Sequence, residues 1–301
     1  FVNFQNSYLR YTLSITDTST ASHSTLGGIS VLQTITEKVG GLMISNENDY
    51  NNRMAITYSK LPSHHKNKLK TLEGYSSNAA FSYTGLSSSN GRTVYHQLST
   101  PLWESNQLFP LCFCNNYEIS ISTAPLNTVR ILAAASNYTI TNCELMLHMV
   151  RPTDGYLSAV QASLNGGRQM SLPLNIKRSY RTSLAATTQQ VINLSLPVCD
   201  SITGVLITQR ENSVMDSATS EEFTYTNNAL KEYYFESSGK RYPQNFPVRS
   251  CNTVSNGPID PQNIAFAALF DVNNSFTMTS DIVSGSTATN TEEFIIYNFV
   301  S

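Results

Sequence analysis

Apolar side chains recur at every second position in short runs along nearly the whole chain. That period is the spacing of one face of a β-strand, so the sequence is constrained first to sheet. In SYLRYTLSIT (7–16), Tyr11, Leu13 and Ile15 share a side; in NNYEISIST (115–123), Tyr117, Ile119 and Ile121 do. QQVINLSLPV (189–198) repeats the pattern with Ile192, Leu194 and Leu196, following PLNIKRSYRTSL. SITGVLITQR (201–210) reads as a buried strand, and FTMTSD and EEFIIYNFVS (292–301) as closing strands. GGISVLQTITEKVGG (27–41) is a β-rich run ending at a Gly-Gly turn into the strand-like LMIS. LKEYYFESSGKRYP is a hairpin with Ser-Gly at its turn, and SNGR (89–92) carries an Asn-Gly turn leading into TVYHQLST.

One run changes phase. In YTITNCELMLHMV (138–150), Tyr138 and Ile140 share a face, but Cys143, Leu145, Leu147 and Met149 then take the apolar positions. One extra residue reverses the facing of everything after it and bends the strand, so a β-bulge is expected at Asn142. The strand runs into RPTDGYLSAVQASLNGG, a helix with Thr153 or Asp154 as N-cap. Tyr156, Leu157, Val160 and Leu164 lie on one face, and Gly166-Gly167 stops it. This connector sits at the midpoint of the 301 residues.

Other elements are fewer. Asn48 or Asp49 starts a short helix with Tyr50, Met54 and Tyr58 on one face. Residues 61–92 show no sustained period and read as a long loop, as does the polar stretch 211–228. PLWESNQLFPLCF is a connection holding the single Trp, NTVRILAAAS a loop with a short strand, and IDPQNIAFAALFDV a short helix after Pro261. The chain therefore reads as β-rich halves around one helix.

Charged residues make up 13% of the chain, about half the usual globular share, so solubility must come from Ser, Thr, Asn and Gln. Net charge is −2, and the one basic cluster, HHKNKLK (64–70), reads as a solvated loop rather than a nucleic-acid face. Cys112, Cys114, Cys143, Cys199 and Cys251 are odd in number and have no CxxC spacing, which points to reduced, mostly buried thiols and intracellular folding. The N-x-S/T triplets at Asn137, Asn193 and Asn273 read as chance. No apolar run is long enough to span a bilayer. Position 1 is Phe rather than Met, so a preceding segment is expected.

The search for chemistry yields no catalytic, cofactor-binding or metal-binding residue. His23, His64, His65, His96 and His148 form no HExxH pattern, and adjacent imidazoles at His64-His65 in a polar loop bind metal weakly. His148 faces away from Leu145 and Leu147. Neither a GxSxG elbow nor a GxxxxGK[ST] loop occurs. Glu118 and Glu144 lie on strands opposite the apolar set. Adjacent carboxylates at Glu221-Glu222 and Glu292-Glu293 would face opposite ways on a strand, so neither doublet makes a glycosidase dyad by itself.

The order of elements resembles that of the double jelly-roll major capsid proteins, the adenovirus-hexon-like lineage of DNA viruses, and most of all the compact forms of virophage- and Polinton-like elements. Four stretches carry the resemblance. SYLRYTLSIT with GGISVLQTITEKVGGLMISNENDYNN is similar to the opening strands. LFPLCFCNNYEISISTA is similar to a mid-barrel strand, YTITNCELMLHMV to the strand that ends barrel one, and LKEYYFESSGKRYPQNFPV to a hairpin of the second barrel.

The resemblance implies an all-β chain of two consecutive eight-stranded jelly rolls: barrel one over 1–152, a linker helix over 153–174, barrel two over 175–301. It implies a non-enzymatic virion protein without cofactors, folded and assembled inside the host cell. Three subunits would form a pseudo-hexagonal capsomer, and capsomers would tile an icosahedral capsid. Neighbouring capsomers, vertex (penton) and minor capsid proteins would be its partners, with an internal membrane as a further candidate and no sequence-specific nucleic-acid binding. The scarcity of charge suits flanks buried against neighbours. The chain is short for the lineage, so its towers would be small. Two other readings compete: a carbohydrate- or receptor-binding β-sandwich (a spike or fibre head) using Tyr75, Tyr83 and Tyr225, and a jelly-roll hydrolase with a carboxylate pair.

Overall fold

The structure, a computed structural model, describes residues 1–16, 22–23, 26–59, 61–75, 91–114, 116–131 and 137–183. Beyond these it describes the short segments 191–193, 204–208, 232–237, 239–242, 248–249 and 294–298. Two compact units divide the chain: Phe1–Ile192 with Asp216–Glu221, and Asn193–Met215 with Glu222–Ser301. Among the described residues the chain is sheet-rich, in small antiparallel sheets, with five helices.

In the first unit the elements run β1 (Val2–Thr16), β2 (Ser22–His23), a 3₁₀ turn (Gly27–Val31), β3 (Leu32–Val39), β4 (Leu42–Glu47), α1 (Tyr50–Ser59), α2 (Ser63–Leu72) and β5 (Arg92–His96). They continue with α3 (Pro101–Glu104), a 3₁₀ turn (Leu111–Phe113), β6 (Tyr117–Thr123), α4 (Leu126–Val129), β7 (Arg130–Ile131), β8 (Asn137–Met149) and α5 (Asp154–Asn165). Strand order is β5-β1-β8 in one three-stranded sheet and β4-β3-β6 in another, while β2 pairs with β7.

The sheet-rich build agrees with the β-rich reading, and two of the five helices, α1 and α5, lie where the sequence places them. The largest revision is at 61–92, read as loop: it holds α2 and the start of β5, with 76–90 outside the described residues. SHHKNKLKTL lacks an apolar period, yet Lys and Leu are good helix formers and nothing within it breaks a helix. The 3₁₀ turn replaces the first part of the run at 27–41, and single helical turns at α3 and α4 replace connections. β5 pairs with β1, from Leu9↔His96 to Leu13↔Arg92.

The two larger sheets meet through aromatic rings. Phe4 of β1 packs on Tyr117 of β6 (5.1 Å between centroids), on Trp103 (5.3 Å) and on Phe109 (5.7 Å). Around them Val2, Leu9, Tyr11, Leu13, Ile35 and Val94 are buried. Each such apolar side chain contributes about 1.5–3 kcal/mol relative to exposure. Tyr50, Met54 and Tyr58 share a face of α1, as their spacing predicts, and all three are buried.

β1 and β8 are both bulged. On β1, Asn3 faces His148 but Tyr8 faces Met146, so Phe4–Ser7 oppose Leu147 alone. Ser7, buried there, replaces lost ladder bonds: its hydroxyl donates to Asn3 O (2.7 Å) and accepts from His148 N–H (3.0 Å). On β8, Arg10 faces Glu144 but Thr12 faces Thr141, leaving Asn142 and Cys143 opposite Tyr11. Asn142 has φ of 51°, the left-handed region an Asn tolerates better than most residues. Tyr138 and Ile140 before the bulge, and Leu145 and Leu147 after it, are the half-buried positions, which is the phase change seen in the sequence.

α5 begins after Thr153 and ends at Gly166, with Gly167 at φ of 83°. Beyond it, 168–183 and 191–193 have no regular secondary structure, so the strand pattern read across 173–183 and 189–198 does not hold over those residues. Residues 194–200 lie outside the description, as do 211–228, Pro261 with the helix read after it, and FTMTSD. In the second unit, β9 (Gly204–Thr208) pairs antiparallel with β14 (Phe294–Asn298), and β10 (Glu232–Tyr233) with β13 (Val248–Arg249). β11 (Phe235–Ser237) and β12 (Lys240–Tyr242) form the expected hairpin, with Ser237 facing Lys240 and Gly239 at φ of 74°.

The bulge gives a direct test. Asn142→Gly relieves the left-handed strain and leaves stability unchanged or up to about 1 kcal/mol higher, whereas Asn142→Val costs about 1–3 kcal/mol. Urea unfolding midpoints of the two variants check the ordering.

Candidate functional site

A polar network inside the first unit brings together residues the sequence gave little reason to join. Its centre is His96, at the end of β5. Its Nδ1 lies 2.8 Å from Glu73 Oε1, and its Nε2 lies 2.6 Å from the Tyr50 hydroxyl. Ser99 N–H donates to that same hydroxyl (2.9 Å). One set of directions satisfies every donor: Nδ1–H to the Glu73 carboxylate, and Tyr50 O–H to Nε2. Tyr58 completes the cage, its hydroxyl 3.5 Å from Nδ1 and beside Glu73. Burial pushes the Tyr50, Tyr58 and Tyr11 phenols up, and the charge of Glu73 adds to it.

Glycines place Glu73. Gly27 has φ of 67°, and a Cβ there would sit 2.5 Å from the Gly74 carbonyl carbon. Gly28 N–H donates to Glu73 O (2.7 Å), and the Tyr11 hydroxyl donates to Gly28 O (2.8 Å). The turn after α2 is thereby held against the 3₁₀ turn, which aims the Glu73 side chain at His96.

A second branch leaves through Ser99. Arg53 of α1 forms a two-pronged pair with Glu47, and also donates to Ser99 Oγ (2.9 Å) and Ser99 O (2.7 Å). Ser99 Oγ and Lys177 Nζ both bond Glu104. Burial pushes the Glu104 carboxyl up, but Lys177, Ser99 and Arg53 outweigh it and hold it below its ordinary value. Burial and the charge of Arg53 push Lys177 down.

A separate cluster surrounds Glu37, buried on β3. Tyr117 donates to its Oε1 (2.8 Å), as does Thr100 (3.1 Å), and Trp103 Nε1 donates to the Tyr117 hydroxyl (2.9 Å). Burial raises the Glu37 carboxyl, against the pull of these donors.

A carboxylate, an imidazole and a hydroxyl in line have the composition of a nucleophile relay. Here Tyr50 and His96 are 0% exposed and the Tyr50 oxygen already takes a backbone N–H, so the arrangement can hold α1, α2 and β5 together but presents no atom to a substrate.

The residues weighed in the sequence do not converge. His64 and His65 lie on α2 with rings 4.0 Å apart, both exposed. Glu118 pairs with Lys38 (3.3 Å) on one sheet and Glu144 with Arg10 (3.1 Å) on the other, so they form no dyad. His148 is exposed. Tyr75 is buried and packs edge-on to Tyr58 (5.4 Å), which removes it from sugar stacking. Glu221, Glu222, Glu292, Glu293, Tyr83 and Tyr225 lie outside the described residues. Among the described residues no cluster of three metal-ligating side chains occurs. Cys112 and Cys143 are exposed and Cys114 half-buried, all three free thiols, which corrects the expectation of burial for these: Cys112 lies in the 3₁₀ turn Leu111–Phe113, Cys114 just after it, and Cys143 in the β8 bulge. Cys199 and Cys251 are outside the described residues.

The surface carries a different feature. β8 pairs with β1 in the sheet, and both β8 and α5 have the apolar spacing of buried elements, yet part of that apolar surface stays exposed. Met149 is 60% exposed, Met146 42% and Tyr156 52%; Leu145, Leu147, Leu157, Val160 and Leu164 are half-exposed, and α5 has no buried residue.

A scan against protein-family models found no match, and no significant similarity emerged to a curated protein or to a solved structure.

Two outcomes test the network. His96→Leu strands the Glu73 carboxylate and the Tyr50 hydroxyl and costs about 3–5 kcal/mol, while adding Glu73→Leu to it costs less than the sum of the single changes; urea unfolding of the four-member cycle measures the coupling. For Glu37, the folded chain keeps a proton that the unfolded chain releases near 4.5. The unfolded state therefore gains as pH rises from 4.5 through the higher folded value, and stability falls over that window. Glu37→Gln flattens this fall, read from unfolding midpoints across pH 4 to 8.

Proposed function

We propose that the chain is the subunit of a viral shell: a major capsid protein of two successive jelly rolls that trimerises into pseudo-hexagonal capsomers. One observation carries the reading. The β8–α5 region has the apolar periodicity of a buried face, yet Met146, Met149 and Tyr156 are exposed and Leu145, Leu147, Leu157, Val160 and Leu164 are only half-buried in the first unit. Exposed apolar side chains on such elements mark association. Subunits of an obligate trimer bury on the order of 2,000 Å² or more per interface, and a chain with 13% charged residues has few side chains that oppose such burial.

Other features agree with it. The sheets are antiparallel, as in a jelly roll, and β8 ends the first run of strands immediately before α5. The carbohydrate-binding alternative is weakened at Tyr75, one of its three aromatics.

Native mass decides between association and a solitary binding domain. Light scattering coupled to size exclusion is expected to give a species of about 100 kDa, three chains of 33.3 kDa, or larger shells built from it. A persistent 33.3 kDa monomer at high concentration contradicts the proposal.

A further inference from the structure

We propose that Cys112 and Cys114 form a thiol–disulfide couple, closed reversibly by low-molecular-weight disulfides such as glutathione disulfide. This goes beyond the shell reading and does not rest on it.

Backbone geometry brings the pair within bonding range. Phe113, the residue between them, belongs to the 3₁₀ turn Leu111–Phe113, and Cys114 follows as its cap, its N–H donating to Leu111 O (3.1 Å). The separation of the two Cα atoms is then set by the dihedrals of Phe113. In a 3₁₀ turn, with a rise of about 2 Å per residue, that separation is about 5–5.5 Å. Disulfides span roughly 4.4–6.8 Å between Cα atoms. The turn is also anchored: Phe113 N–H donates to Pro110 O (3.0 Å), and Val2 and Phe109 exchange both of their backbone bonds (2.8 and 2.9 Å).

The two thiols are free and unequal. Cys112 is exposed and Cys114 half-buried. Burial pushes the Cys114 thiol up, and the charge of Cys112 adds to it. The described Cys143 lies in the β8 bulge opposite Tyr11, so the sulfur beside Cys114 is that of Cys112.

That inequality orders the steps. The thiolate is the nucleophile, and access limits its reaction. The Cys112 thiolate attacks one sulfur of the small disulfide, forming a mixed disulfide and releasing one small thiolate. Capping Cys112 removes its negative charge, and with it part of the upward push on Cys114. Cys114 then loses its proton and attacks the Cys112 sulfur, expelling the second small thiolate. Two protein thiols are oxidised, one small disulfide is reduced to two thiols, and the two protons pass to the released thiolates.

The fold makes the bond reversible. One thiol is exposed and the other half-buried, so closure requires the peptide units around Phe113 to rotate. The Phe113 ring packs edge-on to Phe1, with centroids 6.2 Å apart, and resists that rotation. A disulfide closed against such resistance is strained and readily reduced.

The test is peptide mass mapping of the intact folded chain after incubation with glutathione disulfide, acid quench and alkylation. The tryptic peptide 93–130 contains both cysteines and no other. In the native sequence it is expected to lose two hydrogens, take no alkyl group and retain no glutathione, and excess reduced glutathione is expected to reverse this. Cys114→Ser is expected to stop at one glutathione held on Cys112. Cys112→Ser is expected to acquire glutathione on Cys114 about tenfold more slowly. In urea the two variants are expected to react at equal rates, since burial causes the difference. Retained glutathione on the native peptide without an internal bond overturns the proposal. So does bonding of Cys112 or Cys114 to Cys143, Cys199 or Cys251 in place of each other, or equal rates for the two folded variants.

Discussion

The first unit depends on one contact between main chains: the 3₁₀ turn at Gly27-Gly28 against the turn at Glu73-Gly74. Only glycine fits both the positive φ at 27 and the space there, where a Cβ would fall 2.5 Å from backbone. That closeness lets Gly28 bond Glu73 O, and it carries the Glu73 carboxylate to His96. From His96 the bonds pass to Tyr50 and Ser99, and from Ser99 to Arg53, Glu104 and Lys177. Residues from 28 to 177 are thus tied by polar contacts that are costly to break once buried. Packing alone, through Phe4, Trp103 and Tyr117, would join the two sheets but would not orient α1 and α2 against them.

This interior explains why the surfaces carry the functional interest. A network closed to solvent can position elements but cannot meet a ligand. Outside it lie β8, bulged at Asn142 and Cys143, and α5 beyond it, both with apolar side chains left partly exposed. It also fixes the C-terminal end of α2, through the Gly28 N–H bond to Glu73 O.

Much of the first unit was legible because its physics is local. The parity change around Asn142 can come from nothing but an inserted residue, and the structure places the bulge there. Tyr50, Met54 and Tyr58 mark α1 by spacing alone, and Gly166-Gly167 marks the end of α5. The bulge at Phe4–Ser7 was hidden because Gln5 and Asn6 erase the alternation, so β1 seemed to begin at residue 7 instead of Val2. α2 was hidden for the opposite reason: it buries no face, so it has no apolar period to read. His96 had a signal that went unused, since Val94, His96 and Leu98 share the inward phase and all are buried. Glu73 had none; its partner is 23 residues away and only the glycine contact brings them together.

The most direct test of the surface account is hydrogen exchange read by mass spectrometry across a dilution series of the intact chain. Peptides covering β8 (137–149) and α5 (154–165) are predicted to gain protection as concentration rises, while the peptide over α1 (50–59), already held by the polar network, stays protected throughout. Protection in β8 and α5 that does not change with concentration, or a concentration-dependent gain confined to other segments, would contradict the assignment of that face to self-association.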